Sequence, residues 1–113
     1  MTETTPEYQA RPADKLMLEK DIERRVGDYA KRLGVKTYKF TSPSQRSVPD
    51  RIYVFPNGVL FFIEFKRYGE KPTRGQEIEL DALAGRGQRV AIIDNVEDGK
   101  ALVDWVMRLV PSA

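Results

Sequence analysis

The sequence predicts an α/β fold in which a mixed β-sheet is flanked by helices, with elements in the order α-β-β-β-α-β-α. Three observations carry this. The first third holds apolar residues at helical spacing. The middle holds two β-rich runs joined by Pro56-Asn57-Gly58. The last third reads as helix, short strand and helix, and 113 residues suit one modest core.

Residues 1–13 are rich in Thr, Pro and Glu and poor in apolar side chains, so they read as a flexible arm ahead of a domain spanning 14–113. A helix is expected over 14–33, with Asp14 as N-cap and Gly34 as its stop. Leu16, Ile22, Val26, Ala30 and Leu33 fall on one face, and Leu18 falls off it. Glu19 sits in the middle of that stripe with Glu23 one turn on, where apolar residues belong. A single helical Glu ordinarily reaches water at the stripe edge, so spacing alone leaves both readings open. Gly27 costs about 1 kcal/mol relative to Ala inside a helix and leaves room for a close crossing. Residues 35–40 form an imperfectly alternating strand, and 41–47 form a polar loop.

The hairpin that follows organises the chain. Residues 48–55 and 59–66 are apolar strands whose polar exceptions lie at the ends. Alternation puts Glu64 and Lys66 on one face with Leu60 and Phe62, and Phe61, Ile63 and Phe65 on the other. Antiparallel pairing through the turn returns Asp50 to the side of Glu64. Two carboxylates and an amine then meet at one sheet end, an arrangement that a hard divalent cation compensates best. The chain has no Cys and no His, which excludes disulfides, thiolate or imidazole metal ligation and His-dependent triads. Oxygen ligands therefore point to Mg²⁺ or Mn²⁺.

A helix is expected over 73–84, capped by Thr73, with Gln76 facing inward alongside Leu80 and Leu83. A buried Gln is more often structural than catalytic. Residues 89–93 read as a short buried strand between Gly85-Arg86-Gly87 and Asp94-Asn95. The last helix is expected over 98–109, with Leu102, Trp105, Val106 and Leu109 on its stripe and Trp105 as a core anchor.

The formal charge of +2 is small, but its distribution is uneven. Between Lys36 and Arg74 the cations outnumber Asp50, Glu64 and Glu70, while the remaining acids concentrate in the flanking helices. A solvated loop surface is the alternative reading of such a run. No apolar run reaches membrane-span length and the N-terminus lacks a signal-peptide core, so a cytoplasmic protein without membrane association is expected.

Pro49-Asp50 followed after a hairpin by Glu64-Phe65-Lys66 resembles the PD-(D/E)xK nuclease superfamily. With Glu19, Val48-Pro49-Asp50-Arg51-Ile52 and Gln76 in order, the sequence from about Glu19 to about Trp105 is most similar to the small phage-type VRR-NUC (virus-type replication and repair nuclease) domains. Ser47 stands where that family usually has Gly. The resemblance implies a restriction-endonuclease-like core in which Asp50, Glu64 and the Phe65 carbonyl bind the metal and Glu19 completes the shell directly or through water, with Glu23 in reserve. It implies that Lys66 orients or deprotonates a water and that Gln76 lines the site. Lys39, Arg46, Arg51, Arg67, Lys71 and Arg74 are then the candidates for DNA contact. The implied activity is metal-dependent cleavage of DNA, branched DNA such as four-way junctions above all, by a homodimer in the host cytoplasm if the protein is phage-encoded. The arm and Leu16-Met17-Leu18 offer dimer surface. Flap, nicking or restriction-like cleavage, and a non-catalytic DNA-binding module, remain the alternatives. Asp50, Glu64 and Lys66 together favour an enzyme, because clustered acids repel phosphate unless a cation intervenes.

Overall fold

The hairpin turn sets the register of the whole sheet. In the computed structural model, which describes residues 15–109, the Gly58 N–H donates to the Phe55 carbonyl and Gly58 takes φ +86°, the left-handed conformation that closes a three-residue hairpin loop. This aligns β2 (Arg51–Val54) with β3 (Leu60–Phe65) so that Arg51 opposes Ile63 and Val54 opposes Leu60. Strand β1 (Lys36–Lys39) pairs antiparallel with β2, and β4 (Arg89–Ile93) pairs parallel with β3, giving the order β1-β2-β3-β4. The parallel step needs a crossover, supplied by α2 (Arg74–Gly85). The mixed sheet and the sequence of elements match the predicted fold class.

Helices α1 (Glu19–Arg32) and α3 (Val96–Met107) cover one face of the sheet. Between them and the strands lie Ile22, Val26, Ala30, Tyr53, Phe55, Phe61, Ile63, Phe65, Val103 and Val106, all buried. Gly99 meets Val26 so closely that a side chain there would drive into it, which brings α1 and α3 together. Helix α2 lies over the opposite face near β4, where Leu80 is buried beside Val90 and Ile92. That face is otherwise thinly covered, so Tyr38, Leu60 and Ile92 are exposed and β4 is not the buried strand expected: of its residues only Ile93 is buried.

Several boundaries differ from the sequence reading. Helix α1 begins at Glu19, because Leu18 is extended (φ −71°, ψ 149°) and breaks the expected helix over 14–33. The break resets the helical phase, so Leu16 is 80% exposed while Met17 packs against the core. At the other end Leu33 is half-exposed and Val35 takes the buried position, held by its N–H bond to the Ala30 carbonyl in a turn where Gly34 has φ +89°. Helix α3 starts two residues before Asp98, because the Asn95 side chain accepts the Asp98 N–H at 2.7 Å and caps it. Its inward face is Val96, Gly99, Val103 and Val106, which turns Trp105 outward. Trp105 is therefore 42% exposed and does not anchor the core. The predicted arm, the Asp14 cap and residues 110–113 lie outside the described residues.

The hairpin turn also secures the last helix. Asn57 Nδ2 donates to the carbonyls of Val106 at 2.7 Å and Leu109 at 3.0 Å, and its Oδ1 accepts the Val59 N–H. Asn57→Ala is expected to destabilise the protein by about 1–3 kcal/mol in urea unfolding, since two half-buried carbonyls lose their donor. An unchanged midpoint would show that these bonds contribute nothing.

Candidate active site

The sheet end nearest the start of α1 collects the charged side chains. Glu19 is the first residue of α1, Asp50 immediately precedes β2, Glu64 lies in β3, Lys66 follows it, and Gln76 is the third residue of α2. Glu19, Asp50 and Glu64 each place a carboxylate oxygen within 4.8 Å of the others. Glu19 gets there from the helix terminus, by reaching over the sheet end, and not from mid-helix.

Local bonds fix this arrangement. Asp50 Oδ2 accepts the Phe65 N–H at 2.9 Å, tying the start of β2 to the end of β3. The Phe65 side chain is fully buried in the core, so only its backbone is available to the site. Glu64 is 1% exposed, and its Oε2 accepts from Gln76 Nε2 at 3.0 Å and lies 3.7 Å from Lys66 Nζ. Gln76 itself is held by a capping box, its Oε1 accepting the Thr73 N–H while Thr73 Oγ1 accepts the Gln76 N–H. Lys66 is nearly buried, and its N–H donates to the Ile93 carbonyl. Ser47 presses its hydroxyl against the Gly75 backbone at the start of α2, where a side chain would meet Ser47 Oγ at 2.6 Å. The polar loop is thereby packed beside Gln76.

Burial pushes the Glu64 carboxyl up to about 7; the neighbouring Asp50 and Glu19 add to the rise, and Lys66 opposes it. Burial and then Asp50 raise Glu19 as well. Glu64 Oε1 is buried without a hydrogen-bond partner. Three clustered carboxylates with an orphaned oxygen and only oxygen donors suit a hard divalent cation. Mg²⁺ binds oxygen at about 2.0–2.1 Å, so opposite ligands stand roughly 4.2 Å apart, and a small contraction of this cluster suffices.

The remaining candidates lie around this centre with different partners. Glu23 is bonded to the Arg51 guanidinium and is not part of the acid cluster. Arg51 is correspondingly committed to α1. Lys39 ends β1 opposite Arg51 and is exposed. Arg46 is exposed in the polar loop, which Gln45 links to Glu79 of α2 at 3.3 Å. Arg67 and Lys71 are exposed on the connection after Lys66, whose Gly69 N–H donates to Asp94 Oδ2 at 3.0 Å. Arg74 opens α2 and lies 3.4 Å from Glu77, both exposed, a pair worth little in water. The acids outside the cluster concentrate in the helices, though in α1 Lys20, Arg24, Arg25, Lys31 and Arg32 accompany Glu19, Asp21, Glu23 and Asp28.

No family model matches the chain. Solved structures share the fold. A protein described as "VRR_NUC domain" superposes with TM-score 0.71 at 23% identity, covering 76% of this chain and 94% of that one. A "VRR_NUC domain protein" superposes with TM-score 0.63 at 14% identity, covering 78% and 86%. In sequence, the chain is 40% identical over 81 residues to "Putative nuclease p44" of Acyrthosiphon pisum secondary endosymbiont phage 1, a match spanning 72% of this chain and 87% of that protein. The chain belongs to the VRR-NUC nuclease family. In this VRR-NUC chain Asp50 and the Glu64-Phe65-Lys66 run stand side by side through the hairpin. The TM-scores confirm that the sheet and its helices form the VRR-NUC fold. No helix among the described residues is long and apolar enough to cross a membrane.

Proposed function

We propose that this VRR-NUC protein is a metal-dependent, structure-selective DNA endonuclease that resolves four-way junctions as a homodimer, in the cytoplasm of the host cell if it is phage-encoded. The observation that carries the metal-dependent reading is the buried, unpartnered Glu64 Oε1 within the three-carboxylate cluster beside Lys66. Asp50, Glu64 and Glu19 would hold Mg²⁺ or Mn²⁺, with the Phe65 carbonyl as the further ligand that the family resemblance adds. Bound there, such a cation supplies Lewis-acid polarisation of a phosphate oxygen and lowers the pKa of a coordinated water.

The chain's own residues do the rest. Gln76 holds Glu64 by Oε2, while Oε1 is buried without a hydrogen-bond partner. Lys66 places an ammonium beside Glu64, where it orients the attacking water and offsets charge building on the scissile phosphate. Exposed Lys39, Arg46, Arg67, Lys71 and Arg74 hold flanking phosphates. A junction needs two incisions related by two-fold symmetry, and a C₂ dimer supplies both sites through one self-complementary surface. The exposed Leu16 and Leu18, next to Glu19, are apolar material for that surface.

The test incubates the protein with labelled four-way junction, flap, single-stranded and linear duplex DNA in Mg²⁺, Mn²⁺ or EDTA, beside sedimentation of the same sample. Paired symmetric nicks in the junction, abolished by EDTA, with twice the chain mass, are expected. Cleavage of no substrate would leave a DNA-binding module. A monomer making symmetric paired nicks would overturn the dimer.

A further inference from the structure

A second polar group is buried without a partner, away from the acid cluster. Tyr53 is 1% exposed, and its hydroxyl has no hydrogen-bond partner. Tyr53 lines a groove of about 250 Å³ between α1 and the β1–β2 edge. That volume is below the range of sites for whole drug-sized ligands and suits a phosphate or sugar-phosphate unit. Lys20, Arg24 and Lys31 of α1 line the same groove and are exposed. The acids present are Glu23, already bonded to Arg51, and Asp28. Arg24 lies 3.6 Å from Asp21 in an exposed pair that competes weakly for it. The balance favours an anion.

Gly27 gives a second, independent sign. A glycine at this mid-helix position lowers helix stability by about 1 kcal/mol relative to Ala. Its backbone lies over the Tyr53 hydroxyl, and a Cβ would sit 3.8 Å from that oxygen, in ordinary contact. Alanine would therefore fit without a clash and would strengthen the helix, at the expense of setting a methyl group against the hydroxyl. Burial raises the Tyr53 pKa, so the hydroxyl keeps its proton and remains a donor at neutral pH. Arg51, Glu23 and Asp28 are the charges that act on it.

Resting on the nuclease reading above, we propose that this groove holds a second phosphodiester of the DNA strand, against the Tyr53 hydroxyl and the Lys20, Arg24 and Lys31 cations. Lys20 adjoins Glu19, and Lys31 is eleven residues further along α1, about 16 Å. At about 3.4 Å rise per nucleotide, the held phosphate lies within roughly five nucleotides of the scissile one.

The test measures affinity for uncut junction DNA, with metal withheld, using oligonucleotides in which single phosphates are replaced one by one by neutral methylphosphonates. The wild-type protein is expected to lose affinity at one position within about five nucleotides of the cut site, and Tyr53→Phe to be insensitive there. Tyr53→Phe should bind unmodified DNA about tenfold more weakly while melting at the same temperature or higher, because it removes an unpaired buried hydroxyl. Gly27→Ala should show the same pairing of weaker binding with equal or greater stability. Lys20→Gln combined with Lys31→Gln should reduce the slope of log affinity against log salt by about one to two. Inorganic phosphate at matched ionic strength should compete poorly; efficient competition would assign the groove to free phosphate and overturn a DNA subsite. Coincident substitution profiles for wild type and Tyr53→Phe, or a lower melting temperature for Tyr53→Phe, would overturn it too. If the wild type binds and cuts while those profiles coincide, this proposal alone falls. If it neither binds nor cuts, the nuclease reading falls with it.

Discussion

Asp50→Asn and Glu64→Gln should each lower DNA cleavage on the order of 10³-fold or more while the protein stays folded and binds DNA at least as well as the wild type. The isosteric changes isolate the charge. Asn at 50 keeps an oxygen to accept the Phe65 N–H, which Asp50→Ala would leave unpaired at the junction of β2 and β3. Gln at 64 keeps an oxygen for Gln76 and removes a nearly fully buried carboxylate. Each change also removes negative charge that repels the phosphate backbone, so affinity holds or rises while chemistry is lost. Asp50→Ala, Glu64→Ala and Lys66→Ala should abolish cleavage likewise, Lys66→Ala with some loss of affinity because a cation goes. Glu19→Gln should harm metal-dependent cleavage more than Glu23→Gln, since Glu19 stands with the other acids and Glu23 is occupied with Arg51. Single-turnover rates on labelled junctions, with circular dichroism as the folding control, make the comparison. Wild-type turnover in either isosteric variant would show that the cluster is not the metal site.

The parts of the fold that sequence made legible are those governed by local rules. The hairpin could be read because two short apolar runs flank turn residues that demand one geometry, and from these the meeting of Asp50 with Glu64 follows. The likeness to VRR-NUC domains rested on those same residues. The misread positions depend on what packs across the chain. Trp105 is the most hydrophobic marker in α3, yet the inward face is set by Gly99, which carries no hydrophobic signal and lies there to admit Val26. Leu16 shifted outward because the chain breaks at Leu18, a residue whose side chain announces no cap. The Tyr53 groove was invisible for a related reason: the pattern of β2 marks Tyr53 as a core residue, and only the docking of α1 through Gly27 leaves its hydroxyl without a partner.

With metal removed by EDTA, the melting temperature should fall as pH rises from about 5 to about 7 and then level off, and saturating Mg²⁺ should restore the loss above pH 7. Glu64 is held protonated in the folded state up to about 7, above its ordinary value of 4.5. Between those two values the folded protein binds a proton that the unfolded chain has released, so stability declines with pH across that window and is flat beyond it. The decline reaches on the order of 2–3 kcal/mol at neutral pH, equivalent to about 10 °C for a domain of this size. Glu19, raised by the same burial and by Asp50, acts in the same direction. A divalent cation takes the place of the proton and gains its advantage where the acids must otherwise ionise together, so its stabilising effect grows through pH 7. Glu64→Gln removes the titrating group, and the difference between its profile and that of the wild type isolates this contribution from every other ionisation. Scanning calorimetry of both proteins in EDTA and in Mg²⁺ makes the measurement. A wild-type melting temperature that does not change from pH 5 to 8 in EDTA, or a Glu64→Gln profile parallel to the wild type, would show that Glu64 ionises freely and that the cluster needs no cation to exist at neutral pH.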